Sequence, residues 1–159
     1  MKNLNSSFIR FLVIWYAVFQ MAHLTFLLRA AQLFIQYKIF VFPASPPAGG
    51  WHWQAGNFLI GMGVMDGLNI LLTLAFVWGY FAHSRWRLFA GLLNLSVMMY
   101  SAVVFAIGTI ADGAWGPNII EYVAMAVAFT PVVVLFFELL IMALKGRFYE
   151  SYGEGLDFD

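Results

Sequence analysis

Four long apolar stretches, running from Phe8 to Phe34, Phe58 to Phe81, Leu88 to Ile110 and Ile119 to Leu144, constrain this chain more than any other feature. Each is near or beyond the ~20 residues that a helix needs to cross a bilayer. Lipid cannot hydrogen-bond a free peptide group, so each span is predicted to be helical. The predicted fold is all-α: a polytopic membrane protein whose four transmembrane helices form an up-and-down bundle, the fourth kinked at Pro131. Residues 1–150 form this single domain, and residues 151–159 an acidic tail. The 63% hydrophobic and 10% charged residues stand far from the ~45–50% and ~25% of soluble domains. The first stretch outruns the ~7–15 apolar residues of a cleavable signal and is expected to remain as the first helix.

The basic residues give an orientation. Lys2, Arg10, Arg85, Arg87, Lys145 and Arg147 fall on one side of an up-and-down path, and Arg29 and Lys38 on the other. The positive-inside bias then puts both termini in the cytoplasm. Trp51, Trp53, Trp115 and Tyr122 are expected at the outer interface, and Trp78, Tyr80, Trp86, Tyr149 and Tyr152 at the inner one, mostly as generic anchors. Pro43, Pro46, Pro47, Gly49 and Gly50 break the pattern after Lys38. This segment reads as an outer cap, either a lid over the bundle or a plain linker. Gly63 and Gly67 form a GxxxG, a motif that more often marks a packing seam than a site.

Polar groups at membrane depth carry the functional information. With ~1.5 Å of rise per residue counted from the basic inner edges, His23, Asp66, Asn69 and Tyr100 all lie ~20–25 Å across, in one outer layer. Tyr16, Gln20 and His23 share a face of the first helix, and Asp66, Asn69 and Thr73 a face of the second. An ionisable group inside a span costs about 2.5–3.5 kcal/mol on insertion scales, so His23 and Asp66 are expected to face inward as partners. Glu138 and Asn94 form a shallower layer, ~10 Å from the inner edge, read as structural. Pro131, after Thr130, releases a carbonyl at the depth of the outer layer.

Several chemistries are excluded by counting. There is no cysteine, hence no disulfide or thiolate metal site. Only His23 lies deep, so a bis-histidine haem is excluded. A single axial histidine leaves a pigment open, against the plainer role of a packing donor. No HxxxH or ExxH spacing suggests a metal. No cofactor is expected. A Ser/His/Asp triad would need Ser96 or Ser101, neither flanked by nucleophile-elbow glycines. Nucleic acid is not an expected partner.

The order of parts resembles the EXPERA domain, the four-helix membrane family that includes the sigma-2 receptor and the emopamil-binding sterol isomerases. The residues that carry the resemblance are Trp15, Tyr16 and Ala22-His23-Leu24, then Asp66 with Asn69, Ser84-Arg85-Trp86-Arg87, and Phe129-Thr130-Pro131. The likeness implies a deep pocket for sterols or other flat lipophiles, with Asp66 as its acidic residue. Arg29 and Ala30 stand where the family carries a second acidic residue, and the tail lacks its basic retrieval signal. The expected localisation is a bacterial inner membrane or the endoplasmic reticulum.

Two classes of function follow. One is a binder of a lipophilic ligand, with Gln20, His23, Asp66, Asn69, Tyr100 and Thr130 as the ligand-binding set. As a double-bond isomerase it would use Asp66 and His23 as the catalytic acid and base in a dry aromatic cavity. The plainer reading of that pair is a hydrogen bond fixing the first helix to the second. The other class is a non-catalytic accessory subunit of a respiratory or photosynthetic complex. Expected partners are membrane lipids and a lipophilic small molecule, with a homodimer or a larger membrane complex left open.

Overall fold

The computed structural model describes residues 4, 6–38, 41, 42 and 44–145. Lys2, Pro43, Arg147, Tyr149, Tyr152 and the acidic tail lie outside the described residues. Four helices follow one another: α1 (Ser7–Tyr37), α2 (Trp53–Phe81), α3 (Arg87–Ala111) and α4 (Ile119–Leu144). All four are long and apolar enough to span a membrane. The protein is an integral, multi-pass, all-α four-helix bundle. Ser6 caps α1 by accepting the Ile9 amide, and α1 runs unbroken for 31 residues until Lys38 turns left-handed at φ 58°. At ~1.5 Å per residue that is ~46 Å, well beyond a ~30 Å hydrocarbon core. Pro131 lies inside a continuous α4.

Each helix packs on its neighbours in sequence, and α4 closes the ring against α1, with α2 and α3 the most extensive pair. Contacts at the ends establish the up-and-down path. The Tyr80 hydroxyl at the end of α2 donates to the Leu4 carbonyl ahead of α1. On the opposite side, His52 before α2 meets Asp112 after α3. We refer to the termini side and the loop side accordingly.

The two halves of the bundle are packed differently. On the termini side, Ile9, Leu12, Val13, Phe76, Leu95, Leu135 and Leu139 form a closed core. There a Cβ on Gly91 would stand 2.6 Å from the Phe76 ring and 2.8 Å from a Leu139 methyl, so only glycine lets α3 approach so closely. On the loop side, no residue of α1 beyond Gln20 is buried. The outer faces carry large apolar side chains such as Phe89, Ile120 and Leu144, a surface suited to lipid rather than water. Trp53 and Trp78 face outward, whereas Tyr80 and Tyr122 are buried. Trp115 stacks on Tyr122 at 5.1 Å. Tyr80, Tyr122 and Trp115 stand at or beyond helix ends and pack against the bundle rather than facing outward.

Candidate functional site

The loop-side half encloses a cavity of about 700 Å³, walled by all four helices and by Val41, Phe42 and Trp115. That size falls within the ~300–1,000 Å³ of small-molecule sites. The wall is apolar almost throughout, from Phe19, Leu24 and Leu27 of α1 to Met125 and Phe129 of α4. Within it stand three polar side chains at membrane depth: His23 on α1, Asp66 on α2 and Ser101 on α3. His23 Nε2 lies 3.4 Å from Asp66 Oδ2, with His23 and Asp66 side chains 24% and 13% exposed. The pair is close but not hydrogen-bonded. His23 Nε2 and Asp66 Oδ1 are buried without a hydrogen-bond partner, and so are both amide atoms of Asn69 one turn along α2. Unpaired buried polar atoms cost roughly 1–3 kcal/mol each. All four atoms belong to residues within about a turn of one another in depth.

Beneath the cavity the polar groups are paired instead. Tyr16 Oη accepts from Gln20 Nε2 at 2.9 Å and from Asn94 Nδ2 at 2.7 Å. Both lone pairs of the phenol are then used, so its proton is left for Thr73 Oγ1, 3.0 Å away. Thr73 passes its own proton to the Asn69 carbonyl at 3.2 Å or to Asn94 Oδ1 at 3.3 Å. Gln20 Nε2 also contacts Met98 Sδ at 3.0 Å. This network ties α1, α2 and α3 across the bundle axis and forms the cavity floor. Asn94, expected in a separate layer with Glu138, belongs to this network, because Tyr16 and Thr73 lie at its own depth on facing helices.

The other residues of the expected site separate by helix face. Gln20 is buried in the floor network and does not reach the cavity wall. Asn69, 3% exposed, does not line the cavity. Tyr100 is 71% exposed on the outer face of α3, since it stands ~200° round the helix from buried Met98. Its neighbour Ser101 faces the cavity. Thr130 is exposed and donates to the Ala126 carbonyl of its own helix. Tyr100 and Thr130 therefore lie off the cavity wall, contrary to the sequence-based placement.

Gly63 and Gly67 are not a packing seam. Both line the cavity, where a Cβ on Gly67 would meet nothing within 4 Å and one on Gly63 only a Leu27 methyl at 3.6 Å. Their missing side chains hold space open between α1 and α2. Leu28 and Val64, which flank this space, are 62% and 61% exposed. The cavity therefore opens sideways, toward the surrounding membrane.

No protein-family model, curated protein or solved structure matches this chain. The site is thus described by its own geometry.

The segment between α1 and α2 is fastened across the loop side of the bundle. Glu121 in the first turn of α4 accepts both the amide and the hydroxyl of Ser45, Tyr122 donates to the Ser45 carbonyl at 2.8 Å, and Asn118 donates to the Pro46 carbonyl at 2.8 Å. His52 at the far end of the segment is held by Asp112. Ala44 is buried with Ala114 and Tyr122 under this cover. Residues 44–52 are a strap fastened at both ends, not a slack linker.

Proposed function

We propose that the protein binds a lipophilic ligand drawn from the membrane into the loop-side cavity. The observation that carries this reading is an apolar cavity, open sideways at the Gly63–Gly67 gap, whose wall includes the His23 and Asp66 side chains, 3.4 Å apart and 24% and 13% exposed. Apolar walls take up the body of such a ligand, and a few converging polar groups orient it. The lateral opening suits a ligand already dissolved in lipid. The positive-inside bias of Arg10, Arg85, Arg87 and Lys145 assigns the termini side to the cytoplasm, so the cavity belongs to the outer half of the bilayer. A single cysteine introduced at either terminus, modified by an impermeant thiol reagent only after permeabilisation, checks that orientation.

A narrower form of the proposal is double-bond isomerisation, which here would have to run without the second acidic residue of the EXPERA family, since Arg29 and Ala30 stand in its place. One member of the His23–Asp66 pair would protonate a ligand carbon and the other would take a proton from a neighbouring carbon.

Native mass spectrometry with lipid extraction tests the binding reading on wild type, Asp66→Asn, His23→Ala and Gly67→Leu. The expected result is a specific lipophile retained by the wild type, displaced by the leucine that fills the gap, and weakened in the two polar variants. Absence of any retained molecule, with the variants merely less stable, would show that the pair is structural. Purification only within a larger membrane assembly would favour the accessory-subunit reading.

A further inference from the structure

The length of the cavity along α1 can be set against the thickness of a bilayer. With Arg10 at the inner edge, Arg29 lies ~29 Å further along α1, close to the ~30 Å of a hydrocarbon core. Phe19, where the α1 wall begins, lies ~15 Å short of Arg29, about the depth of one leaflet. The wall then continues past that level through Ala31 and Phe34 to Val41 and Phe42 of the strap segment. The cavity thus runs from the middle of the bilayer into the headgroup layer of the loop-side leaflet. At its upper end stands a cation. Exposed Lys38 folds its Nζ back to 5.4 Å from the centre of the Phe34 ring, which belongs to the wall, and has no carboxylate partner among the described residues. Phe34 is ~36 Å from Arg10, within the headgroup layers that bring a bilayer to ~40–45 Å. Arg29 does not share this position, since it stands ~200° round the helix from Leu27 of the wall. The loop-side carboxylates Glu121 and Asp112 are engaged by Ser45 and His52.

We propose that the ligand is a phospholipid of the loop-side leaflet with an anionic headgroup, one acyl chain lying in the cavity along α1 and the phosphate meeting Lys38. This rests on the binding reading above and names its ligand class, which differs from the flat lipophiles that the resemblance implies. An acyl chain matches an apolar wall as deep as a leaflet. Its phosphate stays at headgroup level, where an ammonium gives it a charge-assisted hydrogen bond. The gap at Gly63 and Gly67 lets one chain enter between α1 and α2 while the second chain stays in the surrounding bilayer. A positive charge on this side runs against the positive-inside bias, and Lys38 carries it directly over the cavity wall.

The experiment uses the whole protein in an uncharged detergent and four probes with identical acyl chains, each photoreactive at a chain end: phosphatidylglycerol, phosphatidylcholine, diacylglycerol and the free fatty acid. Labelling is titrated for wild type, Lys38→Gln, Lys38→Arg and Arg29→Gln, and the labelled residues are mapped by peptide mass spectrometry. Wild type is expected to take phosphatidylglycerol most tightly, with the chain-end label on the deep wall at Phe19, Met98 or Phe129. Lys38→Gln is expected to weaken phosphatidylglycerol about fivefold, the worth of one basic residue near an anionic lipid surface, and to leave diacylglycerol unchanged. Lys38→Arg is expected to keep the preference, and Arg29→Gln to behave as wild type. Equal affinity of the wild type for phosphatidylglycerol and diacylglycerol, an equal loss of both in Lys38→Gln, or a chain-end label at Phe34 or Phe42 overturns the headgroup assignment while leaving the cavity as a lipid site. Tighter binding of the free fatty acid than of phosphatidylglycerol overturns the phospholipid as its source. Failure of every probe to label the wild-type cavity overturns the binding reading itself.

Discussion

At the scale of single residues, the contrast between paired and unpaired polar groups separates structure from site. Tyr16 concentrates three hydrogen bonds on one oxygen in the buried floor. Tyr16→Phe leaves the amides of Gln20 and Asn94 without their acceptor. We expect it to lower stability by about 1–3 kcal/mol, read as a drop in the thermal unfolding midpoint in detergent, while the cavity wall keeps its composition. Tyr100→Phe and Thr130→Ala, on outward-facing positions, are expected to leave ligand retention at the wild-type level; a loss in either by native mass spectrometry would contradict their placement off the wall. His23 and Asp66 were legible in the sequence because ionisable groups at membrane depth are costly and few. The inward placement of Ser101 was not, since a serine in a span carries no such cost and its helix face is set by packing.

At the scale of elements, glycine has opposite meanings in the two halves. Gly91 brings α3 against Phe76 and Leu139, and Gly91→Ala forces a buried ring and a buried methyl aside. The expected cost is about 1–3 kcal/mol. Gly67 faces open space, so Gly67→Ala is expected to be neutral or to stabilise by up to about 1 kcal/mol through helix propensity. Comparing the two unfolding midpoints checks both. The helices themselves were readable to within a few residues at their ends from apolar length alone. The role of Gly63 and Gly67 was misread, because a GxxxG records only that side chains are missing. It does not record whether a helix or a cavity occupies the space.

At the scale of the whole molecule, the strap lies across the loop side of the bundle. It is fastened through the carboxylates of Glu121 and Asp112 to the start of α4 and the end of α3. Glu121→Ala removes the acceptor for Ser45 and is expected to expose the cavity to water. The chain contains no cysteine, so a single cysteine replacing Ala102 on the cavity wall reports this cleanly. A membrane-impermeant thiol reagent is expected to modify it several-fold faster in the Glu121→Ala background; equal rates would mean that the strap does not seal the cavity.

The sequence by itself determined the four spans, the membrane as solvent, the basic bias and the shared depth of His23 and Asp66, because the cost of placing peptide groups and charges in hydrocarbon acts locally along the chain. Only the tertiary structure decided that Gly63 and Gly67 line a cavity, that Ser101 rather than Tyr100 faces inward, and that Trp115 and Tyr122 stack on one another. The reason is that lipid is as apolar as the interior of a bundle, so an apolar helix face gains little by choosing one over the other. Interdigitation of particular side chains makes that choice, and it is expressed only when the helices meet.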